Sequence, residues 1–79
     1  MEYRESDLPV EMKHEDFVRL DGGETVRFES NGEAKDVFIG DAFTPTVQLF
    51  PDTDYDFTSG GKAFRVRADF ADKLLVKRI

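Results

Sequence analysis

The chain has no cysteine and no tryptophan among its 79 residues, and only one histidine, His14. Without cysteine there are no disulfides, no thiol nucleophiles and no thiolate sites for zinc. A catalytic or ligating histidine needs further groups set beside it by the fold, so a lone His14 reads as a surface or edge-strand residue. No apolar run approaches the roughly 20 residues that span a bilayer. The start, Met1-Glu2-Tyr3-Arg4-Glu5-Ser6-Asp7, lacks the basic and apolar stretches of a secretory signal. These gaps predict a cytoplasmic protein, or a virion protein if the source is viral, with no membrane partner.

Motifs of catalysis are missing as well. Ser6, Ser30 and Ser59 lie in turn or arm contexts, and none has the glycine-flanked elbow of a nucleophilic serine. Gly60-Gly61-Lys62 faintly echoes a phosphate loop, but Asp56 stands where that motif needs glycine and Ala63 where it needs serine or threonine. The segment reads as a hairpin turn. Paired-carboxylate chemistry needs a cleft with two distinct environments, and a chain this short has little structure to spare for one. The sequence therefore predicts no enzyme and no cofactor.

What is present is aromatic and charged. Eight of the ten aromatic residues are phenylalanine, hydrophobic residues make up 39% and charged ones 35%, and the net charge is −6. That is enough apolar material for a core and too much for a disordered chain. An acidic balance argues against non-specific nucleic-acid binding, which depends on neutralising phosphates. A domain of this size buries only about 60% of the surface its unfolded chain exposes, so association with other chains is one way to make up the difference.

The apolar residues alternate in short runs separated by Gly, Asn, Asp and Pro, the pattern of strands and tight turns. Strands are expected over residues 10–14, 17–20, 25–29, 36–39, 46–50, 55–58, 63–68 and 73–79, with the 10–14 segment at a sheet edge. A single helical turn is conceivable only over 69–73. The expected fold is all-β: a small sandwich or barrel of seven to eight short, mostly antiparallel strands. Residues 1–9 read as an N-terminal polar arm and residues 10–79 as a single β domain. Phe28, Phe57, Phe64 and Val66 are expected on inner faces, with Arg27, Arg65 and Arg67 outward.

Charge is segregated along the chain. Residues 36–61 carry five aspartates and no base, whereas residues 62–79 carry six bases and two acids. One reading is cross-strand pairing between the acidic middle and the basic end. The other is a basic face of Lys62, Arg65, Arg67, Lys73 and Lys77 offered to an acidic partner. Asp52, Asp54 and Asp56 form the one metal-like run. Position six of a calcium loop is Phe57 here instead of glycine, and position twelve is Ala63 instead of glutamate. A weak surface calcium site is the most these three would make, against a solvated edge that resists aggregation.

Interface candidates are Tyr3 and Leu8 in the arm, Arg65 and Arg67, and Phe43 in the loop Gly40-Asp41-Ala42-Phe43-Thr44-Pro45. An aromatic in a loop either plugs one end of the core or projects to a partner, and the plug is the favoured expectation.

Two resemblances extend these readings. Gly23-Glu24-Thr25-Val26-Arg27-Phe28 resembles a strand of cupredoxin-like and immunoglobulin-like sandwiches. The series Phe43, Pro45, Val47, Leu49, Pro51, Tyr55-Asp56-Phe57, Gly61 and Phe64-Arg65-Val66 is similar to the second half of a cupredoxin. The likeness covers residues 17–79 and implies the scaffold alone, since a copper site needs a thiolate and two imidazoles. In its short, cysteine-free, armed β character the chain also resembles accessory or decorating proteins of tailed-phage virions. That likeness implies a non-enzymatic assembly subunit binding protein partners, as a homo-oligomer or within a larger assembly. The cupredoxin-like or immunoglobulin-like likeness implies a stand-alone binding module.

Overall fold

Alternating apolar residues do build strands. The computed structural model describes residues 1–69 and 72–79. Among them are nine strands: β1 Glu2–Arg4, β2 Val10–Met12, β3 Phe17–Arg19, β4 Thr25–Asn31, β5 Ala34–Ile39, β6 Val47–Leu49, β7 Asp54–Ser59, β8 Lys62–Ala68 and β9 Leu74–Arg78. They form two sheets, ordered β1-β3-β4-β5-β6 and β2-β9-β8-β7. All pairs are antiparallel except β1 with β3. The fold is all-β and sandwich-like, with β2 at a sheet edge. The only helical element among the described residues is a 3-10 turn, Glu5–Asp7. The turn expected over 69–73 includes two residues outside the described ones.

The core lies where the inner faces meet. Val18, Val26, Phe28 and Val37 come from the five-stranded sheet, and Met12, Phe64, Val66, Leu74 and Val76 from the four-stranded one. Phe28, Phe64 and Val66 are thus buried as their alternation predicted. Phe57 is half-buried, because β7 is an edge strand with no neighbour on one side; its ring stacks on Phe64 at 5.5 Å between centroids.

The N-terminal segment differs from expectation. Residues 1–9 are part of the fold and not a separate arm. Glu2, Tyr3 and Arg4 lie opposite Phe17, Val18 and Arg19, and Phe17 N–H donates to the Met1 carbonyl at 3.0 Å. Tyr3 and Leu8 pack against the core. The physical reason is that a three-residue strand with one inward side chain satisfies an otherwise open edge of β3. The chain then crosses to the other sheet through the 3-10 turn and a cis Leu8–Pro9 bond.

At one pole the two sheets touch. The β3–β4 turn and the β7–β8 turn approach so closely that a Cβ on Gly22 would stand 3.2 Å from Ser59 Oγ. Ser59 Oγ–H donates to Glu24 Oε1 at 2.6 Å across this contact. The hairpin read from Gly60-Gly61 is present, both glycines having positive φ.

Candidate binding surface

Asp54 lies opposite Arg67 and Asp56 opposite Arg65 in the β7–β8 register. Arg65 donates to both oxygens of Asp56, Nε at 2.7 Å and Nη2 at 2.9 Å. Arg67 reaches Asp54 at 2.6 Å and Asp52 at 2.7 Å. Cross-strand pairing of the acidic middle with the basic end is therefore what the fold does with the segregated charge. Arg65 holds the Asp56 carboxyl below its ordinary range, against a smaller opposing effect of desolvation.

This pairing corrects the calcium reading. Alternation places Asp54 and Asp56 on one exposed face of β7 and Asp52 joins them from the preceding turn, but the three carboxylates are spread along two guanidinium groups instead of converging. No group of three or more histidine, aspartate or glutamate side chains among the described residues could hold a metal ion. Arg65 and Arg67 are likewise engaged within their own sheet.

The opposite pole of charge is an interior one. The Glu5 side chain is only 7% exposed, with its Oε2 2.8 Å from Lys62 Nζ. The Asp21 N–H donates to Glu5 Oε1 at 3.2 Å, and Asp21 Oδ2 lies 3.5 Å from Lys62 Nζ. The Lys62 hydrogen bond depresses the Glu5 pKa; burial works the other way, and the Asp21 N–H adds to the lowering. The same bond raises the Lys62 pKa. Glu5, Asp21 and Lys62 clamp the 3-10 turn to both sheets, a structural use of charge.

The outer face of the five-stranded sheet is of another kind. Thr25, Arg27 and Glu29 alternate outward on β4, and the register sets Phe17, Arg27 and Phe38 in one row across β3, β4 and β5. The Arg27 guanidinium lies 4.0 Å from the Phe38 ring centroid, a cation–π contact. Arg19 lies 6.0 Å from the Phe17 centroid. Phe38 is only 5% exposed although it faces away from the core. Arg27 borders two hollows, one of about 300 Å³ reaching His14 and Phe17 and one of about 330 Å³ reaching Asp41 and Phe43.

Phe43 itself corrects the plug expectation, for it is 98% exposed. The loop that carries it is pinned at its base. Gly40 N–H donates to Thr25 O at 2.8 Å, Thr46 N–H to Val37 O at 2.8 Å, and Ile39 N–H to Thr46 Oγ1 at 3.1 Å. With Gly40 and Thr46 tied down, the loop tip turns outward over the sheet and its aromatic cannot reach the end of the core. Tyr3 and Leu8, by contrast, are drawn into the protein's own core, so their apolar surface is partly used at home.

Sequence reasoning missed the Phe17–Arg27–Phe38 row. Its signal was present in the outward parity of Arg27, but the pairing register that sets two aromatics beside it is not written in any single strand. His14 is exposed beside Asp16, whose carboxylate accepts from the Met1 ammonium at 2.8 Å and from Lys13 N–H at 2.9 Å. No helix among the described residues is long and apolar enough to cross a membrane. Comparison of the chain with protein-family models, with curated proteins and with solved structures finds no match.

Proposed function

We propose that this protein is a non-enzymatic assembly subunit that binds other protein chains, second copies of itself included, through Phe43 and the adjoining Arg27 row. The observation that carries the reading is a fully exposed phenylalanine on a loop whose base is held by three hydrogen bonds. Burying a phenylalanine side chain gains about 1.5–3 kcal/mol. A pinned loop offers that gain to a partner with little ordering cost. Aromatic residues and arginine are the side chains enriched at interface centres, and here Arg27 borders the same hollow as Phe43. The acidic balance favours protein over nucleic acid as the partner.

Sedimentation velocity over a concentration series tests this with the intact chain and Phe43→Ser. The expected result is a wild-type mass that rises with concentration while the variant stays at the 9.0 kDa of one chain. A wild-type chain that remains monomeric throughout, or a variant that associates as well as wild type, overturns the reading. Because Phe43 contributes nothing to the core, the variant's stability should lie within about 0.5 kcal/mol of wild type.

A further inference from the structure

Four strands bound the two sheets: β1 and β6 in one, β2 and β7 in the other. β1, β2 and β6 have three residues each, and β7 has six. A short edge offers few backbone groups to a foreign strand, so β7 is the edge on which strand addition has purchase. Its pairing with β8 decides which groups it offers. Ala68 N–H donates to Thr53 O at 3.1 Å. The two-residue alternation of an antiparallel ladder then assigns the backbone of Tyr55, Phe57 and Ser59 to β8. The N–H and C=O groups of Asp54, Asp56 and Thr58 point away from β8, to a side where β6 comes near but no described strand pairs with them.

Side chains on the same strand say what would fit. On the outer face the charge order across the sheet is basic on β8, at Arg65 and Arg67, then acidic on β7, at Asp54 and Asp56. The order stops on its acidic side. On the inner face Tyr55 and Phe57 are half-buried, their rings leaning on the core with one flank uncovered. A second copy of β7 would set aspartate against aspartate, which cross-strand pairing penalises. An extended segment with lysine or arginine at every second residue, and apolar residues between, would continue the charge order outside and cover Tyr55 and Phe57 inside.

We propose that β7 is a strand-addition edge for such a segment: a partner strand alternating basic and apolar residues, hydrogen-bonded to Asp54, Asp56 and Thr58. The surface is separate from Phe43 and stands on its own observations.

The probe is a short synthetic peptide of alternating lysine and valine, added to the intact chain and followed by amide hydrogen exchange. Exchange at Asp54, Asp56 and Thr58 should slow by about tenfold or more at saturation, with little change at Tyr55 and Phe57, which are already bonded. A glutamate–valine peptide should have no effect. A lysine–valine peptide N-methylated along its bonding edge should fail to protect. Thr58→Pro removes an outward N–H and no bond to β8, so it should weaken binding while the β spectrum in circular dichroism is retained. If that variant misfolds, the N-methylated peptide still decides. Unchanged exchange at the three amides overturns the proposal, as does equal binding of the N-methylated peptide, which would reduce the effect to loose charge attraction.

Discussion

The outward faces of the two sheets solve the same problem differently. On the four-stranded sheet, Asp52, Asp54 and Asp56 meet Arg65 and Arg67 in ion pairs between neighbouring strands. On the five-stranded sheet, Arg27 lies on the Phe38 ring and takes only a looser ion pair with Glu29, at 3.6 Å. The first face spends its charge on itself. The second leaves an arginine between two aromatics and beside an exposed third. What separates them is register: β7 and β8 set unlike charges opposite one another, whereas β3, β4 and β5 set rings on either side of a cation. The first face is closed by its own pairs except along the β7 edge, whereas the second carries an exposed ring at its border.

Both faces rest on one core, and removing its centre should outweigh any change outside. Phe64→Ala is expected to cost about 3–5 kcal/mol, measured by urea denaturation. A domain this small is barely able to bear that loss. Phe38→Ala tests whether the outer aromatic is structural in its own right. Its burial against Arg27 predicts a loss of about 1.5–3 kcal/mol, without the added cost of an enclosed cavity because the site opens to water. A loss under about half a kcal/mol would mean that the ring is merely covered and contributes nothing, and the two faces would be less different than the geometry says.

The inter-sheet clamp is the next smaller effect. A carboxyl whose pKa is lower in the folded chain than in the unfolded one adds stability above the ordinary carboxylate range. It gives that stability up as the pH falls through the folded value. Glu5, Asp16 and Asp56 are all depressed in this way, by Lys62, the Met1 ammonium and Arg65 respectively. Glu5→Gln should therefore lower stability at neutral pH and make the acid limb of the stability profile shallower, while Asp16 and Asp56 keep part of it. An acid limb of unchanged slope would show that Lys62 does not depend on the Glu5 charge. The smallest effect is expected from the charged face itself. A double-mutant cycle on Asp56 and Arg65 should give a coupling of about 0.2–1 kcal/mol, falling as salt is added.

Much of the fold was legible because alternation is a local signal. The eight segments read as strands are strands, and Phe28, Phe64 and Val66 point inward as their parity requires. The paired charges were legible too, as a segregation that an antiparallel hairpin would bring together. Three things were not. β1 has one inward residue, Tyr3, too few to show a period, and its partner lies fifteen residues away on β3. Phe43 was expected at the core's end, since apolarity alone does not tell which way a loop turns; Gly40 and Thr46 decide it through hydrogen bonds. Phe57 has inward parity, but parity carries no information on whether a strand has a neighbour on both sides.

The place of β9 has a consequence for synthesis. Leu74–Arg78 is made after every other strand of its sheet, yet it sits inside that sheet, between β2 and β8. Val10 and Met12 on β2 have their pairing partners at Val76 and Leu74. A nascent chain can close the local β4–β5 and β7–β8 hairpins as they emerge, but β2 has no strand to join until β9 is clear of the ribosome. Such long-range closure comes late and slowly. Until then the buried side of Met12 is open to water and to whatever holds nascent chains, and the sandwich shuts only when β9 arrives to join β2 to β8.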